Sequence, residues 1–155
     1  MRDKNFVAEH RGGPLKKEQH RQLMQWGCDC AEHVIYLIGK EIDERLMYAL
    51  TVAKECVKGN ASVGDARDAS LGGHSVARES SNLTSIAEAR SAGYAVATAH
   101  MADHSLGAAL YALKAVKNAG KSIEVERNWQ NNQLPAQIKE LVINARSKKE
   151  KTLKI

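Results

Sequence analysis

Apolar side chains return every three or four residues along most of this chain. Leu23, Trp26, Cys30, Val34 and Leu37 keep that spacing, which lays one stripe on a helix running from about Pro14 to Ile38, with Gly39 as its stop. Leu46, Ala49, Leu50, Ala53 and Val57 do the same over a second helix that Asp43 caps and Gly59-Asn60 ends. A third, about Ser62 to Ser80, has a face of small residues, Ala66, Ala69, Gly73 and Ala77, against which a neighbouring helix can approach closely. Its internal glycines weaken it by about 1 kcal/mol each relative to alanine.

The segment Ser85-Ile86-Ala87-Glu88 has the form of a capping box and predicts a helix start at Ser85. No proline interrupts the chain before Asn118, but an unbroken helix of that length would extend roughly 50 Å at about 1.5 Å per residue. A bend or break near Gly93 or Gly107 is therefore expected. After Gly120 a short turn or helix carries Trp129, and Pro135 opens a last helix to about Ala145 with Ile138, Leu141 and Val142 inward. No segment alternates with the period of two that a half-buried strand needs. The pattern predicts an all-α, single-domain bundle of about five to six helices, residues 1–145, around an Ala/Gly-rich central helix.

Composition narrows the function classes. In 155 residues, 43% are hydrophobic and only 5% aromatic, so the core is built from aliphatic and small side chains. The formal charge of +5 is concentrated at the end of the chain, where Arg146, Lys148, Lys149, Lys151 and Lys154 face one acid, Glu150. Residues 146–155 then read as a basic, frayed tail on a nearly neutral domain. So short a run supplies few phosphate contacts and argues against nucleic acid as the partner. Three cysteines without a CxxC pair and a polar first stretch, MRDKN, point to the reducing cytoplasm. The longest apolar stretch, near Ala92 to Val116, is broken by His100, Asp103, His104 and Lys114 and does not read as a membrane span.

Candidate chemistry centres on His100-Met101-Ala102-Asp103-His104. On a continuous helix the two imidazoles share a face one turn apart, with Asp103 beside them. They form either half a metal site or a buried polar knot that fixes helix register. Zinc needs three or four ligands, so a third must come from another helix, with His33, His74, Cys30, Asp29 and Glu32 as candidates. The spacing is not that of HExxH, because Met101 stands where the glutamate belongs. Cys28, Cys30 and His33 resemble a ligand cluster on paper, yet residues two apart on a helix diverge, and an unpaired cysteine is ordinarily core. Trp129 with Arg127, and His74 with Arg78, are the candidate partner contacts, since tryptophan and arginine favour binding hot spots.

With these segments in place, the chain resembles a family of small all-helical bacterial and archaeal proteins labelled putative immunity proteins, related to the fifth immunity class of polymorphic toxin systems. The residues that carry the resemblance are RDKNFVAEHRGGPL from Arg2, WGCDCAEHV from Trp26, GDARDAS and HSVARES, GYAVATAHMADHSLGAALYALKA from Gly93, and ERNWQNNQLP from Glu126. The resemblance implies a cytoplasmic helical domain that binds and neutralises a cognate toxin, and brings no catalytic residues. A non-enzymatic binding protein with a protein partner and no cofactor is thus the leading expectation. The alternatives are a metal-dependent enzyme or metal-binding protein using a divalent ion such as zinc at His100 and His104, and a structural homo-oligomer.

Overall fold

A computed structural model describes residues 3–39, 41–153 and 155. The described residues form seven α-helices: α1 (Lys17–Ile38), α2 (Glu44–Lys58), α3 (Val63–Glu79), α4 (Leu83–Ala97), α5 (His104–Asn118), α6 (Ile123–Asn132) and α7 (Ala136–Leu153). No strand occurs among them; a single isolated bridge joins Ala8 to Leu15. The count exceeds the expected five to six because the long Ala-rich segment divides and the region of Trp129 is a full helix.

Local chemistry explains most boundaries. The Asp43 carboxylate accepts from the Arg45 amide at the start of α2, and Ser62 and Asp65 cap α3 reciprocally at 2.9 and 3.0 Å. Gly59 ends α2 at φ 80°, a left-handed position that glycine occupies without a Cβ penalty. Other boundaries correct the sequence reading. Asn82, not Ser85, caps α4, its side chain accepting from the Ser85 amide at 3.0 Å, so Ser85 lies within the first turn. Pro14 lies outside α1, in a hook of residues 3–16 that folds back on itself and buries Phe6 and Leu15.

The break between α4 and α5 falls at neither glycine but across Thr98 to Asp103. His20 of α1 approaches the Thr98 carbonyl with Nε2 at 2.6 Å. In an uninterrupted helix that carbonyl would accept from residue 102. A side chain from another helix has taken its place, and the chain turns.

α4 lies at the centre, packing most extensively on α5 and α3 and also touching α1 and α2. The close approach of α3 depends on Gly73: a Cβ there would stand 3.1 Å from the Gly93 Cα. Hydroxyls in the interior are spent on neighbouring carbonyls, Ser70 donating to Gly93 at 2.9 Å and Ser91 to Ala108 at 2.7 Å. Leu106, Leu110 and Leu113 of α5 and Ile138 and Val142 of α7 are fully buried.

α7 does not fray after Ala145. Arg146 is only 2% exposed, with its guanidinium donating to Gln130 Oε1 at 2.9 Å and to Asn131 Oδ1. Gln130 in turn donates to the Ala109 carbonyl at 3.0 Å, and its own carbonyl accepts from Trp26 Nε1 at 2.9 Å. Gln130 and Arg146 form a buried polar knot that ties α6 and α7 to α1 and α5. Glu150, one turn on, accepts from Arg127 Nε at 2.8 Å and holds the helix against α6. Lys154, counted with the basic tail, lies outside the described residues, as do Met1, Arg2 and Lys40 of the domain.

Glu88 is buried on α4, and burial pushes its carboxyl up to about 7. The folded state therefore favours the neutral acid. Its contribution is fully present below the usual carboxylate range and is lost as pH rises through about 7. Glu88→Gln is expected to flatten this dependence and to exceed the parent by on the order of 2 kcal/mol above about pH 8. Urea unfolding between about pH 4 and 9 measures it.

Candidate functional site

Two clusters hold the chemistry-bearing residues. The first lies where α1 and α6 meet. His33 projects from α1 and Trp129 from α6, their rings stacked at 3.6 Å with planes 8° apart. Glu126, one turn before Trp129 and 3% exposed, accepts from His33 Nδ1–H at 2.8 Å. A buried carboxylate fixes the imidazole, and the imidazole fixes the indole. Both rings remain half-exposed on the wall of an open cleft of about 560 Å³, beside the exposed Tyr36 and Leu37.

The rim of this cleft is acidic. Asp29 accepts from Gln25 at 2.8 Å, while burial raises its carboxyl above the ordinary value. Glu32 pairs with Lys54 of α2. Of the candidate partner contacts on α6, Trp129 stands on the cleft wall. Arg127 is engaged within the fold, its guanidinium tied to Glu150 and Glu124 and bracing α6 to α7.

The second cluster surrounds the turn between α4 and α5. The His100 and His104 rings are 5.4 Å apart, although they do not share a helix, since His104 opens α5. Tyr94 links this pair to the rest, with its ring 5.4 Å from His104, 4.9 Å from His74 and 5.5 Å from Tyr111. His74 thus turns inward from α3 instead of joining a solvated face with Arg78. It accepts from Arg90 at 2.9 Å, and burial together with Arg90 and Arg78 brings it down to about 4, so it is neutral near pH 7. Arg78 remains exposed and donates to Ser75.

His33 does not reach His100 and His104, because Glu126 and Trp129 engage it at the other cluster. Among the described residues, no three His, Cys, Asp or Glu side chains stand where they could hold a metal ion. Burial also disfavours the thiolate at the two cysteines of α1. Burial pushes the Cys28 thiol up to about 12 and that of Cys30 well above its usual range.

Sequence reading missed His10, Arg11 and His20, which line a cavity with His100 and Asp103. Their only signal was residue type; the hook that folds back to deliver His10 and Arg11 has no helical periodicity to betray it. It also missed Glu126, whose i, i+3 spacing to Trp129 was visible but whose pairing with His33 spans two helices. No helix among the described residues is long and apolar enough to cross a membrane.

Neither the curated proteins nor the solved structures contain a match to this chain. A family model does match, over residues 13–137, a span that includes α1 to α6 with His33, Glu126, Trp129 and the His100 to His104 turn. The chain belongs to the Imm-5 like putative immunity protein family.

Proposed function

We propose that this protein is a non-enzymatic binding protein that neutralises a cognate toxin by occluding it, and that the α1–α6 cleft is the contact face. The observation that carries the reading is the Trp129–His33 stack. An indole held rigidly by a buried carboxylate through an imidazole, and still half-exposed, loses little conformational entropy when a partner covers it. Tyr36 and Leu37, at 58% and 45% exposure, extend the same surface.

Charge defines the partner's chemistry. Asp29 and Glu32 line the cleft, Glu32 already paired with Lys54, so the contacting segment of the toxin carries a basic side chain that reaches Asp29 as its apolar stem covers Trp129. Family membership supports a protein partner.

The test is co-expression with the toxin-like product of a neighbouring gene in a sensitive host. The parent protein is expected to restore growth and to co-purify with the toxin, whereas Trp129→Ala, equally abundant and folded, loses both. Protection undiminished by Trp129→Ala with Tyr36→Ala would remove the cleft from the account. A catalytic amount of the protein sufficing for protection would overturn occlusion. Self-association through the same face, seen by light scattering and abolished by Trp129→Ala, would replace the toxin with a second copy of the chain.

A further inference from the structure

A cavity of about 110 Å³ lies between the N-terminal hook, α1 and the turn from α4 to α5. It is separate from the cleft assigned to the toxin. Its wall gathers His10 and Arg11 from the hook, His20 from α1, and His100 and Asp103 from the turn. A single water needs about 10–15 Å³ of such space, so the cavity has room for one small oxyanion or a few waters.

The wall makes two opposite demands. Arg11 brings a guanidinium to this wall, and the imidazoles bring ring nitrogens that can carry an N–H. Asp103 presents the reverse: its Oδ1 is buried and accepts no hydrogen bond among the described residues. An acceptor left in that state has given up its water without gaining a donor, and a donor from a ligand would recover that loss. A metal ion answers only the carboxylate, and no three potential ligands converge here. A fully ionised oxyanion answers only the donors and meets repulsion at Asp103. A phosphate group that keeps one proton answers both, because its bare oxygens accept while its P–O–H donates.

We propose that this cavity binds a protonated phosphate group, with Arg11 and the His10 ring N–H donating to its oxygens and Asp103 Oδ1 accepting from its hydroxyl. The group is either free phosphate or the terminus of a phosphomonoester that leaves through the exposed His10 and Arg11 side. The proposal stands without the toxin reading, since it uses none of the cleft residues.

Sulfate provides the discriminating comparison. It matches phosphate in size and shape but carries no proton near neutrality. Calorimetric titrations of the full chain at about pH 6, where phosphate and methyl phosphate both retain a hydroxyl, compare inorganic phosphate, methyl phosphate and sulfate. Phosphate is expected to bind at least about tenfold more tightly than sulfate, the factor that an unpaired buried acceptor costs. Asp103→Asn, nearly isosteric, is expected to reduce that preference to less than about threefold, because the neutral amide no longer repels sulfate and can turn its NH2 toward it. Arg11→Ala, at an exposed position that spares the core, weakens both anions in parallel. Methyl phosphate binding as tightly as phosphate assigns the site to an ester, and phosphate alone assigns it to the free ion. Equal affinity for sulfate and phosphate in the parent chain, or absence of heat with all three anions, would overturn the proposal.

Discussion

Arg146→Ala is expected to lower the free energy of unfolding by about 3 kcal/mol, more than any exposed substitution in α7. The guanidinium is 2% exposed and lies 5.9 Å from the Trp26 ring centre, with donors committed to Gln130 and Asn131. Truncation removes the side-chain stem from a packed site and strands Gln130 Oε1, itself fully buried, without its donor. Gln130 also bonds Ala109 and Trp26, so the damage spreads to the seam that joins α6 and α7 to the rest. Arg146→Met separates the two contributions. It keeps most of the stem and leaves the acceptor unpaired, so it should recover part of the loss and not all. Lys148→Ala, on the exposed side of the same helix, should change stability by less than about 0.5 kcal/mol. Chemical denaturation of the three variants under one condition compares them directly.

Adjacent glycines in α3 are expected to respond with opposite signs. Gly73→Leu should cost about 3 kcal/mol, because even its Cβ would stand 3.1 Å from the Gly93 Cα and 3.2 Å from its amide nitrogen. Both obstacles are backbone, so α3 and α4 must separate. Gly72→Ala should instead stabilise by about 0.5–1 kcal/mol through helix propensity, since its nearest neighbour is the Arg45 Cβ at 3.9 Å, an ordinary contact. Melting temperatures that fall together for the two variants would contradict the close α3–α4 approach.

The pair also shows why the sequence was informative about this fold and where it stopped. A face of Ala66, Ala69, Gly73 and Ala77 announced close packing before any coordinates, because small residues at helical spacing have few other uses. The helices α1, α2 and α3 were legible for the same reason, as was the end of α2 at Gly59. The break between α4 and α5 was not. Its cause is His20, some eighty positions earlier in the chain, and a local pattern carries no record of a side chain arriving from another helix. Arg146 was misplaced in a frayed tail because a basic run looks solvated until Gln130 is known to lie opposite.

The candidate site was half legible. Trp129 stood out by residue type, and His33 as a possible ligand, but the two were assigned to different roles. Glu126 converts them into one unit, and its partner lies 93 positions away. The His100 and His104 rings lie 5.4 Å apart, a proximity that comes from a turn and not from helical spacing. What they face, His10, Arg11 and His20, comes from the hook and α1, where residue order gives no hint of contact.

The central claim is that the rigid Trp129–His33 platform is where the toxin binds. The most direct measurement is the dissociation constant of the purified pair for the parent and for Trp129→Ala, with Lys148→Ala as a control on the far helix. A loss of about 30-fold or more for Trp129→Ala, equivalent to about 2 kcal/mol, with unchanged affinity for the control, is the expected result. Equal affinity for all three proteins, with Trp129→Ala shown to be folded, would contradict the account.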